Sequence, residues 1–173
     1  LDPEDPAGLI GRFHLCVAET MGRYGGFFAR PMGDGALVFF GFPQAHEDDA
    51  ERAVRASLAT VEAAGAIEGP DGRALQVKIG IATGVTIVGD LVNAGSDRGL
   101  DVSGEAPNLA HRLQRLAEPG TVLVSDNLRR MLGPLFVYRD LGRHALKGWE
   151  APVAIAQVLR PAANPSRFDA RTN

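Results

Sequence analysis

Lysine is scarce in this chain: Lys78 and Lys147 are the only two among 18 basic residues, the rest being arginine. A lysine kept against that background draws attention to Lys147. Cysteine is scarcer still. Cys16 stands alone, which excludes an internal disulfide, is compatible with a reducing compartment, and reads as a small buried hydrophobe. Positive charge is not in excess either. With 18 basic and 21 acidic residues the formal charge is −3, so no global basic field exists to recruit nucleic acid or an anionic membrane. A polyanionic ligand would have to be held by a local cluster. No apolar run reaches the length that crosses a bilayer, and the N-terminus lacks the pattern of a signal peptide, so a soluble, cytoplasmic protein is expected. The usual phosphate signatures are missing: there is neither a G-x-x-x-x-G-K-[ST] loop nor a strand followed by G-x-G-x-x-G and a helix. His14, His46, His111 and His144 show no metal-ligand spacing, and Cys16 has no evident catalytic partner. Zinc, triad and P-loop chemistry are set aside on those grounds.

What is present begins with length: 173 residues, 45% hydrophobic, make one domain able to bury a core. Leu9, Ile10, Phe13, Val17, Met21 and Tyr24 recur at helical spacing after Asp-Pro pairs, and Gly25-Gly26 stops that helix. Strands near Phe27–Met32 and Ala36–Gly41 then flank Gly33-Asp34-Gly35. Two apolar runs around such a turn read as a hairpin with a carboxylate at its tip, although Gly-Asp-Gly alone is also ordinary turn chemistry. Leu37 to Phe40 is apolar on both faces, which suggests a central place in a sheet covered on both sides or by a partner. A second helix follows, with Ala50, Ala53, Val54, Ser57, Leu58 and Val61 on one face. The acidic residues at its opening, His46-Glu47-Asp48-Asp49, complement the helix dipole rather than outline a metal cluster.

Leu75, Val77, Ile79 and Ile81 alternate with polar or small residues, the period of a strand running on toward Ile87–Asp90. After a loop and a short strand at Leu100–Val102, Pro107 is a candidate first helical residue, with Leu109, Leu113 and Leu116 as the buried stripe. A strand at Thr121–Val124, a short helix at Asp126–Leu132 and closing strands at Phe136–Leu146 and Val153–Leu159 complete a mixed α+β order. The polar tail from Arg160 reads as a flexible linker.

Chemistry concentrates on the third helix. Asn108 and Arg112 lie four apart, hence side by side on one face, and Asp101 sits on the strand feeding that helix. A carboxylate can accept from an exocyclic amine, an amide can fix a hydroxyl, and a guanidinium can clamp a phosphate. Each also has a bland reading, as a surface arginine or a helix-start asparagine.

Five blocks, RPMGDGALVFFG, VKIGIATG, DVSGEAPNLAHRL, EPGTVLVSDNL and LKGWEAPV, occur in the order seen in class III nucleotidyl cyclase catalytic domains, and the chain resembles that family, in its bacterial form, over most of its length. The resemblance implies a ferredoxin-like cyclase fold: a mixed, mostly antiparallel sheet with helices packed on it, working as a dimer over residues 1–159, with 160–173 as a tail. It implies that Asp34 is one of two metal-binding aspartates. Asp101 matches the position that selects adenine, Asn108 the residue that orients the ribose, Arg112 the one that stabilises the transition state, and Lys147 the lysine on the triphosphate. Arg98 falls near a phosphate-contacting region.

Two departures stand out. The family's base-reading lysine, four residues before the metal aspartate, is Arg30 here, which keeps charge and donors but not shape. The other metal aspartate lies in the family on a strand before the opening helix; Asp2, Glu4 and Asp5 are poor substitutes, and a fragment lacking that strand is expected. The implied activity is that of an adenylate cyclase making cyclic AMP and pyrophosphate from ATP with two divalent cations, Mg²⁺ or Mn²⁺, in a homodimer fused to regulatory domains. Guanylate cyclase activity, or a degenerate module that binds nucleotide or dimerises without turnover, is the alternative.

Overall fold

The computed structural model describes residues 6–84, 86–90 and 100–163. They fall into two compact units. The first contains residues up to Val77 together with Ile87–Ser103, and the second contains Lys78–Thr86 and everything from Gly104 onward.

In the first unit, α1 (Pro6–Arg23) places proline at its first position, where a missing N–H costs no hydrogen bond. Gly25, at φ +88, and Gly26 end it, with the Gly26 N–H returned to the Met21 carbonyl at 2.9 Å. The chain then forms the hairpin β1 (Phe27–Met32) and β2 (Gly35–Phe39). Pairing runs from Phe27↔Phe39 to Met32↔Gly35, with a register shift between Phe28 and Arg30 that marks Ala29 as the extra residue of a bulge. The expected central position for β2 is not found. Among the described residues it pairs with β1 alone, and all five of its residues are half-buried. An apolar run on both faces reports partial cover on each side as readily as a buried sheet interior.

α2 (Asp49–Ala64) packs on α1 and buries Ala53, Val54, Ala56, Ser57, Thr60 and Ala64. Its two buried hydroxyls bond back one turn, Ser57 Oγ to the Ala53 carbonyl at 2.7 Å and Thr60 Oγ1 to that of Ala56 at 2.8 Å. That local bond lets polar residues sit on the buried stripe in place of the expected Leu58 and Val61, which are half-buried. At the helix entry Arg52 binds Asp48, Asp49 and the carbonyl of Tyr24, so those carboxylates are engaged by a guanidinium. The hairpin β4 (Ile87–Asp90) and β5 (Leu100–Ser103) completes this unit.

The second unit is built on a four-stranded sheet ordered β3-β6-β8-β7, from β3 (Lys78–Ile81), β6 (Thr121–Ser125), β7 (Phe136–His144) and β8 (Val153–Pro161). β3 and β6 are parallel and the other pairs antiparallel. The strand expected to run from Leu75 to Asp90 is two strands, β3 and β4, belonging to different units; Gly84, at φ +156, lies in the stretch between them. β8 extends through Pro161, two residues beyond the boundary at 159.

α3 (Glu105–Leu116) packs on β3 and β6. Its start is Glu105, not Pro107, which becomes the third helical residue. The first turn has no intrahelical use for its N–H groups, so proline is tolerated throughout it. Leu116 is 43% exposed; the stripe is instead Ala106, Leu109 and Leu113, continued by Ala117 just past the helix. Ala117 is extended, so the chain turns inward there and the last helical side chain is left outside. Gly80 lets α3 approach closely: a Cβ there would meet the Ala110 carbonyl, the Gln114 nitrogen and Leu113 Cβ. The core gathers Leu109, Leu113, Ala117, Leu123, Leu146 and Ile155, with Trp149 packed against it. α4 (Asp126–Leu132) follows β6, packs on β6 and β8, and buries Leu128 and Leu132. No helix of the described residues is long and apolar enough to cross a membrane.

Candidate active site

Within the second unit, α3 and the β7–β8 loop border an open cavity of about 770 Å³ lined by Glu105, Asn108, His111, Arg112 and Lys147–Glu150. The amphipathic period that buries Leu109 and Leu113 turns Asn108 and Arg112 to the other side of the helix. Three sequence-predicted residues, Asn108, Arg112 and Lys147, therefore share one cavity although 39 positions separate the first from the last.

Lys147 is presented by a tight turn. The Leu146 carbonyl accepts from the Trp149 N–H at 3.0 Å, which leaves Lys147 and Gly148 as central residues, and Gly148 at φ +96 occupies the place that a type II turn reserves for glycine. Leu146, on one side of the turn, is buried in the core. Trp149, on the other, donates its indole N–H to Glu105 Oε1 at 3.2 Å. Glu105, His111, Trp149 and Glu150 were not singled out from sequence. Helical spacing gave a usable signal for two of them, since Glu105 and His111 flank Asn108 by one turn in each direction. Nothing local marks Trp149 as a partner of a residue 44 positions away.

Arg30, Asp34 and Asp101 belong to the first unit. Asp34 is exposed on the two-residue turn between β1 and β2, next to Gly33 at φ +60. Only Gly33 of the two flanking glycines needs the left-handed region; Gly35 is an ordinary strand residue. The adjoining carbonyl of Gly35 is held from α1 by His14 Nε2 at 2.8 Å. Arg30 sits just after the bulge, and its Nε is buried with no hydrogen-bond partner among the described residues. Asp101 lies on β5 opposite Gly89, on the strand that leads into α3 as expected. Arg98, Asp2, Glu4 and Asp5 lie outside the described residues. Among the described residues no three His, Cys, Asp or Glu side chains converge as a metal site.

The architecture is that of nucleotidyl cyclase domains. It superposes on the adenylyl cyclase CyaB from P. aeruginosa with a TM-score of 0.77, at 28% identity, covering 92% of this chain and 84% of that one. The guanylyl cyclase Cya2 matches with a TM-score of 0.78, at 27% identity, over 95% of this chain and 85% of that one. Residues 10–158 match the adenylate and guanylate cyclase catalytic domain, and the chain belongs to that family. An adenylate cyclase of Mycobacterium tuberculosis is 27% identical over 84% of this chain, which spans 32% of that protein. Across its curated relatives the chain spans between 16% and 39% of their length.

Proposed function

We propose that this domain is an adenylate cyclase, joining the 3′-oxygen of ATP to its own α-phosphorus. The new O–P bond forms as the bond to the β-phosphate bridging oxygen breaks, pyrophosphate carries away the electron pair, and the 3′-hydroxyl proton passes to solvent. Because the attack is intramolecular, no side-chain nucleophile is required. The protein's work is to hold the 3′-oxygen in line and to neutralise charge as it builds.

The observation that carries this reading is the grouping of Asn108, Arg112 and Lys147 around one cavity. An amide beside a guanidinium and an ammonium suits a sugar hydroxyl next to a polyphosphate. Asn108 would orient the ribose, Arg112 would meet the charge growing on the α-phosphoryl group, and Lys147 would hold the triphosphate. Arg30 and Asp101 would read the base. The buried, unpartnered Nε of Arg30 supports this, because an unpaired buried donor costs about 1–3 kcal/mol until an acceptor is supplied.

The donor set fits divalent ions in the manner of Mg²⁺, which takes one or two carboxylates and completes its shell with phosphate oxygens and water. Asp34, exposed on a tight turn, is the residue that would hold them here. Bound Mg²⁺ or Mn²⁺ would make the 3′-hydroxyl more acidic and offset the charge of the leaving pyrophosphate. We further propose a cytoplasmic homodimer with residues 1–159 as the catalytic domain, 160–173 as a linker to regulatory modules, and each site shared between protomers.

Incubating the full-length protein with ATP and Mn²⁺ should yield cyclic AMP, and GTP should be the poorer substrate. Cyclic GMP as the main product would make it a guanylate cyclase instead. Nucleotide binding with neither product would favour a module that binds without turnover, a reading that the single carboxylate of the metal-binding turn keeps open.

A further inference from the structure

We infer that Glu105 and Trp149 form a latch that holds the Lys147 turn against α3 before substrate arrives, making them positioning residues for the triphosphate site. The inference rests on the reading of Lys147 as a polyphosphate ligand.

The turn has two ends, and both are tied. Leu146 is 7% exposed and locked in the core, so the incoming strand cannot drift. The outgoing end is held by the Trp149 indole N–H on Glu105 Oε1 at 3.2 Å, with the ring packed on the same core. Glu105 is the first residue of α3, where the helix dipole favours a carboxylate and fixes the acceptor in place. Asn108 lies one turn and Arg112 two turns further along the same helix. One hydrogen bond thus sets the spacing between the loop that carries the ammonium and the helix that carries the amide and guanidinium. Lys147 and Gly148 are exposed, so without that bond the turn carrying them would have more freedom to lose at each binding event.

A latch of this kind acts on substrate and transition state alike, so its loss appears in KM and spares kcat. Because the bond is solvent-accessible, the effect should be that of one net hydrogen bond, about three- to tenfold. Trp149→Phe keeps an aromatic ring and removes the donor; Glu105→Ala removes the acceptor. Each should raise KM for ATP by that factor with kcat within about twofold, and the double variant should be no worse than either single one. Glu105→Gln, whose amide oxygen still accepts, should recover most of the loss.

Trp149 is the sole tryptophan of this chain, so its fluorescence reports the latch directly. Glu105→Ala should shift its emission to the red, and titration with inorganic tripolyphosphate should give a weaker Kd than in the parent protein. That arm needs no turnover: if no cyclic nucleotide forms, the cyclase reading falls while the Kd comparison still decides the latch. Equal KM and Kd across the variants, a Glu105→Gln loss as large as that of Glu105→Ala, or no tripolyphosphate binding at all would overturn the inference.

Discussion

Arg112 lines the cavity from the third turn of α3 and is half-buried. On the proposed reading, a guanidinium placed there before the reaction would need no reorganisation as charge builds on the α-phosphoryl group, and losing one such donor typically removes two to three orders of magnitude. Arg112→Ala is therefore expected to lower kcat by about 10²–10³ while leaving the thermal midpoint unchanged, measured by product formation and circular dichroism. Unaltered turnover would take the residue out of the mechanism. Tyr138 offers a second test, on stability. Burial pushes its hydroxyl up to about 12 from 10.0, against the opposing effect of Arg129, whose guanidinium lies 5.4 Å from the ring centre. A raised folded-state value means the native state keeps its proton where the unfolded chain has lost it. Stability from this group is thus fully present below pH 10 and declines as pH rises toward 12. Urea midpoints should fall across that window, and Tyr138→Phe should flatten the fall.

The contact between β3 and α3 belongs to the scale of elements. Gly80 lies under the helix, and a methyl group there would need room now held by the Gln114 nitrogen at 2.5 Å, the Leu113 side chain at 2.8 Å and the Ala110 carbonyl. Backbone cannot swing aside as a side-chain tip can. Gly80→Ala should destabilise by about 1–3 kcal/mol in urea denaturation, whereas Leu116→Ala, at a 43% exposed position, should change stability by no more than about 0.5 kcal/mol. The comparison also shows what periodicity could and could not convey. The element boundaries of α1, β1 and α4 were readable because Pro6, the paired glycines and the run Asp126–Leu132 punctuate the chain locally. The division of Leu75–Asp90 into two strands was not, since both halves are apolar and only tertiary pairing, β3 with β6 and β4 with β5, separates them. Leu116 was misassigned because it is the last helical residue, and the inward turn of the chain at Ala117, which takes over the buried place, leaves no mark in the pattern.

For the whole molecule, the proposed site residues are divided between its two compact units: Arg30, Asp34 and Asp101 in one, Asn108, Arg112 and Lys147 in the other. The latter three were legible through motif order, and the cavity brings them together. The Glu105–Trp149 pair was not, because a contact across 44 positions leaves no local trace. If active sites are shared between protomers, two inactive variants should complement each other. Mixing Asp34→Ala with Arg112→Ala at equal amounts should restore about a quarter of the parent activity, because half the dimers are mixed and each has one intact site. Specific activity should also fall on dilution. No recovery on mixing would point to sites built within single protomers.

The extra residue in β1 has a further reach. Side chains on a ribbon alternate sides, and Ala29 inserts one beat into that alternation just before Arg30. Deleting Ala29 would close that break while Arg30 kept Leu37 opposite it and the turn kept its pairing, so the adjustment would fall on Phe27 and Phe28 and on the local twist of the ribbon beside the guanidinium. If Arg30 reads the base and Asp34 holds the metal as proposed, the bulge adjoins the first and lies apart from the turn that carries the second, so this one codon should tune which purine is chosen before it touches metal binding.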